Sequence, residues 1–230
     1  MWSRHQRMIE DFPSRQASRR TTIIAWCILV ILVVIVVVDK ATSDTLSTHK
    51  EKLIKGEVIV TLSDLEDKGV NVTGTVFIAC QPQQVWPVLT DYNHLADFIP
   101  TMLKSQLISN GGDEKIVEQI GKSGIFLFHK TAYVKLKVKE KYLKCIHFEN
   151  MSGDFLVYTG EWMLEYNPRA GGTILTYKAK IKPDFFAPRF LIRHVQSKDL
   201  PKILKAIKRR VESVKQSGEK GIIRHQEIKR

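Results

Sequence analysis

The sequence predicts an α+β fold in which an antiparallel β-sheet packs against one long C-terminal helix, with a single transmembrane helix before the folded domain. Three observations predict this fold. Several segments alternate apolar and polar residues between short turns, and the final segment carries an apolar stripe at helical spacing. In addition, residues 21–38 form a nearly uninterrupted apolar run. At 230 residues the chain has room for one core and an appendage.

The first 55 residues divide into three segments by composition. Residues 1–20 are polar and carry five arginines, so we expect a disordered basic arm. Residues 21–38 are predicted to form a transmembrane helix, because eighteen helical residues span roughly 27 Å, close to the thickness of the bilayer hydrocarbon. Residues 39–55 are a polar linker. A cleaved signal peptide is the alternative, but the apolar run is longer than a usual signal core, and Asp39 and Lys40 follow it directly.

Positive charge is concentrated at the two ends of the chain. Residues 1–40 carry six Lys and Arg against three Asp and Glu, residues 41–185 carry seventeen of each, and residues 186–230 carry thirteen against four. Basic ends indicate an anionic partner, either a membrane surface or a nucleic acid. Five Lys and Arg precede the apolar run and four lie in residues 39–58. This distribution predicts a cytoplasmic N-terminus with the domain outside the cytoplasm.

Strand patterns fill most of a domain predicted at residues 56–217. The clearest alternation lies in Ala132–Lys139, where Val134 and Leu136 share an apolar face opposite lysines. Short turns join successive strands, which predicts an antiparallel sheet with one polar and one apolar face. The predicted strands are Glu57–Leu62, Val70–Cys80, Lys104–Ser109, Lys115–Ile120, Ile125–Lys139, Cys145–Glu149, Phe155–Tyr166 and Thr173–Lys182.

Helical patterns occupy two places in this domain. Gln81–Pro100 predicts two short helices bounded by prolines, which support the sheet, and Trp86, Leu89 and Phe98 are expected to be scaffold residues. From Leu200 onward, apolar residues recur at helical spacing to form a stripe that covers the sheet. Asp199 is expected to cap this helix. A disordered basic tail is predicted for residues 218–230, and the helix is expected to contact anionic headgroups through Lys202, Lys205, Lys208 and Arg209.

The order of these elements and a set of individual residues together resemble a known protein family. They are Pro82, Val85-Trp86, Val88-Leu89-Thr90-Asp91-Tyr92, Phe98-Ile99-Pro100, Ser105, Gln119, Gly153-Asp154-Phe155, Gly160, Trp162, Tyr177, Pro183 and Asp199-Leu200-Pro201. On these residues the chain resembles the START-like (SRPBCC) superfamily, and within it the polyketide cyclase/dehydrase and coenzyme Q-binding group. The resemblance covers roughly Glu57 to Val214 and leaves out the apolar run.

The resemblance implies a helix-grip fold, in which a curved sheet holds the C-terminal helix and leaves a cavity for an apolar ligand between them. Inward-facing residues of the predicted strands and helix then become candidate ligand-binding residues, with aromatic rings that can stack on a ligand. Ordinary core packing is the alternative for each of them. The candidates are Val134, Leu136, Phe148, Tyr158, Trp162, Tyr177, Ile203 and Ile207.

These features predict a membrane-anchored START-like domain that binds or transfers a hydrophobic ligand, such as a lipid, an isoprenoid quinone or a polyketide-like ring. The partners expected are that ligand and the membrane rather than nucleic acid, because an anchored domain meets headgroups at high effective concentration. One alternative is a cyclase or dehydratase using the same cavity, with Asp91, His94 and Asp97 as acid–base groups. Another is a non-catalytic module that contacts a ribosome or a membrane complex.

Sequence motifs of common catalytic and metal sites are missing. The chain contains no Walker loop, Gly-x-Gly-x-x-Gly, His-Glu-x-x-His or serine nucleophile elbow. Cys27, Cys80 and Cys145 are isolated, which supports neither a disulfide framework nor a zinc site. We therefore expect a binding protein rather than an enzyme, with no catalytic residue, cofactor or metal.

Overall fold

The computed structural model describes residues 51–66, 69–112, 114–125 and 128–227. Apart from Glu51, the described residues belong to one compact unit, Lys52–Arg230. The predicted basic arm, transmembrane helix and most of the linker lie outside the described residues. Within the part of the chain that is described, no helix combines the length and the apolar character needed to cross a bilayer.

An eight-stranded antiparallel sheet forms the body of the described residues, as the sequence predicts. Its strand order is β1-β2-β8-β7-β6-β5-β4-β3, so the second strand pairs with the last strand near the β1 edge, and the third to the eighth strands form a meander. The elements are β1 (Ile59–Asp64), β2 (Val70–Ile78), α1 (Pro82–Thr90), a 3₁₀ turn (Leu95–Asp97), β3 (Met102–Asn110), β4 (Glu114–Ile125), β5 (Phe128–Lys141), β6 (Cys145–Gly153), β7 (Phe155–Asn167), β8 (Gly172–Pro183) and α2 (Arg189–Glu227).

One face of the sheet is apolar and buried beneath α2. Along β8, Tyr177, Ala179 and Ile181 are buried, whereas the alternate residues Lys178 and Lys180 are exposed. This is the period of two that a pleated strand imposes. The same alternation in β2 buries its valines, and the helix adds buried side chains from its facing stripe. These are Ile192, Leu200, Leu204, Ile207 and Val211. The sheet and α2 therefore share one core.

The C-terminal helix is longer than the sequence predicts. It begins at Arg189 and runs through Pro201, so Asp199 is inside the helix rather than at its cap. Proline removes the hydrogen bond that residue 201 would donate to the carbonyl of Ser197. Buried Leu200 and Leu204 on the inner face hold the helix in place around the proline. The helix continues to Glu227, so the tail predicted as disordered from residue 218 is helical to that point, because extending an existing helix needs no new nucleus.

The two short helices predicted between the prolines are one helix and one 3₁₀ turn. Helix α1 begins with a capping box formed by Gln81 and Gln84 and places Pro82 in its first turn. The second segment forms only the turn Leu95–Asp97, because a residue that precedes proline, here Ile99, avoids helical backbone angles.

Strand β4 is also longer than the sequence predicts. It continues to Ile125 instead of ending at residue 120, because Gly121 to Gly124 stay paired with β5.

Gly74 lets the helix approach the sheet closely. A Cβ atom at this position in β2 would lie 2.6 Å from Cδ2 of Leu200 and 2.8 Å from Cδ1 of Leu204. Both distances are well below ordinary van der Waals contact, so any side chain here pushes against the inner face of α2. The absence of a side chain at this strand position thus makes room for the side chains of Leu200 and Leu204 against β2.

We expect Gly74→Ala to lower the free energy of unfolding by about 1–2 kcal/mol, because the added methyl group overpacks this contact. Gly121→Ala is a matched control in β4, where the nearest atom to an added Cβ, the Thr101 carbonyl oxygen, is at an ordinary 3.5 Å. Urea-induced unfolding followed by circular dichroism measures both variants. Equal effects of the two substitutions would show that the close approach carries no packing constraint.

Candidate ligand-binding cavity

A cavity of about 260 Å³ lies between the sheet and α2. Its walls come from α1, the 3₁₀ turn, β3 to β8 and the inner face of α2. Because α1 and the 3₁₀ turn stand between one end of the sheet and α2, the side chains from the two layers do not fill the space between them. Most of the lining side chains are aliphatic or aromatic, which is the composition of a site for an apolar ligand.

All eight residues proposed from the sequence as ligand-binding line this cavity. Val134 and Leu136 come from β5, Phe148 from β6, Tyr158 and Trp162 from β7, and Tyr177 from β8, while Ile203 and Ile207 come from α2. The structure therefore brings residues from four adjacent strands and the final helix to one space. That they bind a ligand stays a prediction.

The cavity has one buried end and one partly exposed end. At the buried end, Tyr92, Val138 and Ile146 are all less than 7% exposed. At the other end, near the pair Gly121 and Ala132, the lining residues are exposed or half-buried. They include Thr101, Gln119, Lys122, Phe155, Val195, Gln196 and Asp199. We call this partly exposed end the mouth. It lies where the first turns of α2 face β4, and several of its side chains are polar.

Aromatic rings form a continuous wall along the sheet side of the cavity. Phe155 lies 5.2 Å from Tyr158 between ring centroids, Tyr158 lies 5.1 Å from Phe148, and Phe148 stacks on Tyr177 at 5.9 Å. Trp162 continues the series at 4.6 Å from Tyr177. Each spacing is within the range of favourable ring contacts. The rings hold one another in place and present their surfaces to the cavity.

Two phenol groups meet in the middle of this wall. The hydroxyl oxygens of Tyr158 and Tyr177 are 3.1 Å apart and share a hydrogen bond. Burial raises the pKa of Tyr158. It also raises the pKa of Tyr177 well above its usual range, with a further contribution from neighbouring Tyr158. Neither group ionises near neutral pH, so the pair stays a neutral donor and acceptor within the apolar wall.

A charged cluster closes the buried end of the cavity. Tyr92 donates a hydrogen bond from its hydroxyl to Oε1 of Glu140 at 2.6 Å, and Nζ of Lys115 donates to the same oxygen at 2.7 Å. The Lys115 ammonium also lies 5.7 Å from the centroid of the Tyr92 ring. Burial, followed by the bond to Glu140, raises the pKa of Tyr92 far above its usual value. The carboxylate therefore fixes Tyr92 as a neutral wall of the cavity.

Several lining residues were not proposed from the sequence as site residues. Tyr92 and Gln119 belong to the family resemblance, and Asp199 was expected to be a helix cap. Lys122, Gln196 and Val195 carried no signal, because the first belongs to a segment predicted as a turn and the other two precede the expected helix start. Leu89, expected to be scaffold, lines the cavity as well. If the predicted helix is extended upstream of Pro201, it includes Val195 and Gln196 and so places both residues in α2.

The acid–base group considered for an enzyme lies outside the cavity lining. Nδ1 of His94 is 2.7 Å from Oδ1 of Asp91, and both side chains are exposed. The hydrogen bond to Asp91, together with the charge of that carboxylate, raises the pKa of His94. The backbone N–H of Asp97 donates to the carbonyl of His94. These residues form the turn after α1, so they give no support to chemistry inside the cavity.

The four basic residues expected to contact a membrane do not present one common exposed surface. Lys202, Lys205 and Arg209 are exposed, and Lys202 forms an ion pair with Asp199 at 3.0 Å. Lys208 is half-buried instead. Its ammonium donates to the carbonyl oxygen of Phe77 at 2.9 Å, which ties α2 to the end of β2. The position of Lys208 thus has a structural explanation, and headgroup contact by the other three stays a prediction.

Comparison with known proteins agrees with this architecture. A family model described as polyketide cyclase/dehydrase and lipid transport matches residues 78–208, which is more than half of the chain. A search of curated protein sequences with this chain found no match.

Many solved structures are similar to the chain in fold, and three of them come from different organisms. An aromatase/cyclase, Zhui from Streptomyces sp. R1128, is 17% identical, with 62% of this chain and 93% of that chain covered and a TM-score of 0.54. A STAR-related lipid transfer protein fragment from Xanthomonas axonopodis is 16% identical, with 67% and 93% covered and a TM-score of 0.54. Human STARD10 is 11% identical, with 73% and 74% covered and a TM-score of 0.54. At these identities the likeness is one of fold.

Proposed function

The chain belongs to the polyketide cyclase/dehydrase and lipid transport family, and from that membership we propose that it binds an apolar ligand in the cavity between its sheet and α2. The observation that carries the proposal is the cavity itself, which has mostly apolar walls, is buried at one end and opens at a polar mouth at the other. A ligand with an apolar body and a polar end fits this arrangement, with its body on the aromatic wall and its polar end at Lys122, Gln119 and Gln196. A lipid, an isoprenoid quinone or a polyketide-like ring meets that description.

Binding is tested by titrating the full-length protein with cis-parinaric acid. The fluorescence of this fatty acid increases when its apolar chain moves from water into an apolar site. We expect saturable binding with one probe per chain, and displacement by unlabelled apolar molecules. The purified protein is held in an amphipathic polymer, because detergent micelles take up the probe themselves. Fluorescence that rises without saturation would contradict binding at a defined cavity.

We further propose that the protein is anchored by residues 21–38 and takes its ligand from the bilayer through the mouth. Two large aromatic residues support this proposal. Phe186 is 94% exposed and Phe190 is 73% exposed, in the segment that leads into α2. Phe190 is five residues before Val195, which is about 7.5 Å along a helix and close to the mouth. Exposed rings beside basic residues such as Arg189 suit the interface of an anionic bilayer.

We expect the double substitution of Phe186 and Phe190 by serine to slow uptake of parinaric acid from anionic vesicles several-fold in the reconstituted full-length protein. The affinity for the probe supplied from solution should stay the same, because neither ring lines the cavity. Tyr166→Ser, at an exposed tyrosine near the end of β7, is the matched control. An unchanged uptake rate for the double variant would contradict the proposed contact between these rings and the bilayer.

The orientation of the protein in the membrane needs a separate test. Protease protection in sealed vesicles tests whether the domain lies outside the cytoplasm.

A further inference from the structure

The hydroxyl pair of Tyr158 and Tyr177 has more hydrogen-bonding capacity than the protein uses. Each phenol carries one hydrogen to donate. The single bond between the two oxygens, at 3.1 Å, uses one of these two hydrogens. In the ranges that the structure describes, no other protein group forms a hydrogen bond with either hydroxyl. One donor hydrogen is therefore left over in a wall built of aromatic rings.

That leftover donor discriminates between ligands. A ligand that fills the cavity displaces water from the wall, so a ligand without an acceptor leaves the hydroxyl unpaired in an apolar surrounding. Leaving a buried donor unpaired is costly, whereas making its hydrogen bond is mildly favourable. The pair therefore favours a ligand with an acceptor atom at this point over a hydrocarbon of the same shape.

The size and the wall of the cavity indicate what carries the acceptor. A volume of about 260 Å³ lies just below the ~300 Å³ at which pockets for drug-sized ligands begin. The wall beside the hydroxyls consists of rings, from Phe155 through Phe148 to Trp162. A flat ring system stacks on such a wall with little loss of conformational freedom, and a pair of acyl chains exceeds the volume.

We propose that Tyr158 and Tyr177 form a selectivity element, which donates a hydrogen bond to an acceptor oxygen carried by a flat ring in the middle of the cavity. The proposal rests on the proposed function, because it assigns a role within the same cavity. The ligand class it selects is an apolar ring compound bearing a carbonyl or similar oxygen, rather than a pure hydrocarbon or a two-chain lipid. Neither tyrosine reacts with the ligand, so both are positioning residues for binding.

The test compares two probes of nearly the same shape, 1,4-naphthoquinone and naphthalene, which differ in their two carbonyl oxygens. Affinities are measured by equilibrium dialysis with the full-length protein and with Tyr158→Phe, Tyr177→Phe and the double variant. In the double variant we expect the affinity for naphthoquinone to fall about tenfold, while the affinity for naphthalene stays within twofold. Each single variant retains one hydroxyl, whose hydrogen is no longer shared within the pair and can be donated to the ligand, so it should keep the preference for naphthoquinone. Tyr166→Phe, outside the cavity lining, is the control.

Each outcome decides between the two proposals. If naphthoquinone and naphthalene lose affinity equally in the double variant, the hydroxyls do not contact the oxygen and the selectivity element is overturned. If parinaric acid binds to the wild type but naphthoquinone does not, the selectivity element is overturned and the apolar cavity remains. If no probe binds, both proposals fall. The double variant removes both hydroxyls together and leaves neither partner unpaired, so it is expected to fold, and thermal unfolding verifies that.

Discussion

Replacing Glu140 with alanine is expected to lower the free energy of unfolding by about 3 kcal/mol, because the substitution leaves a largely buried ammonium without its counter-charge. The side chains of Glu140 and Lys115 are only 15% and 18% exposed. Glu140 also accepts the hydrogen bond of Tyr92, whose hydroxyl loses its partner in the variant. Both effects act in the same direction, at the end of the cavity that is closed to solvent. Urea-induced unfolding of the full-length protein measures the change.

Two other variants distinguish the effect of the buried cluster on stability from that of an ion pair on the surface. Lys139→Ala removes an ion pair with Glu114 in which both side chains are exposed, so its expected effect is below about 0.5 kcal/mol. Tyr92→Phe removes one hydrogen bond but keeps the ion pair, and its expected effect is about 1 kcal/mol. If Glu140→Ala were no more destabilising than Lys139→Ala, the cluster would not support the inner end of the cavity.

Filling the cavity is expected to abolish binding while leaving the fold intact. Leu136 is buried in the middle of β5 and lines the cavity, so Leu136→Trp places a large ring in the space that the ligand needs. We expect the affinity for parinaric acid to fall at least tenfold. The cavity offers room for the new ring, so the cost of overpacking is smaller than at a filled core position.

Leu103→Trp is the matched control for this experiment. Leu103 lies in β3, is 49% exposed and does not line the cavity, so the same substitution there changes neither the cavity nor the core. Its affinity for parinaric acid is expected to equal that of the wild type. Equal affinities for Leu136→Trp and Leu103→Trp would show that the probe binds elsewhere.

The residues of the cavity that could be predicted are those whose direction follows from local periodicity. In a strand, alternate side chains point to opposite faces, so the alternation in β5 and β8 is enough to place Val134, Leu136 and Tyr177 on the inner face. In a helix, the spacing of three and four residues does the same for Ile203 and Ile207. These patterns are local in the sequence, so they show which face of each element is apolar but not how the elements pack together. The family resemblance implied that the apolar faces of the sheet and the helix face each other.

The residues that were missed depend on long-range geometry. Lys122 lines the mouth because β4 continues past residue 120 in register with β5, and the glycines there concealed that continuation. Gln196 lines it because α2 starts at Arg189, eleven residues before Leu200, where the sequence predicted the helix to begin. The bond from Lys208 to the Phe77 carbonyl likewise joins residues 131 apart. A single sequence does not encode these juxtapositions in any local pattern.

The central claim is that the space between the sheet and α2 holds an apolar ligand, and mass spectrometry of what copurifies with the protein tests it most directly. The full-length wild type, Leu136→Trp and Leu103→Trp are purified in parallel into an amphipathic polymer, extracted with organic solvent and compared. We predict one apolar species, close to one per chain, in the wild type and in Leu103→Trp, and its loss from Leu136→Trp. The same species in equal amounts from all three proteins would contradict the claim.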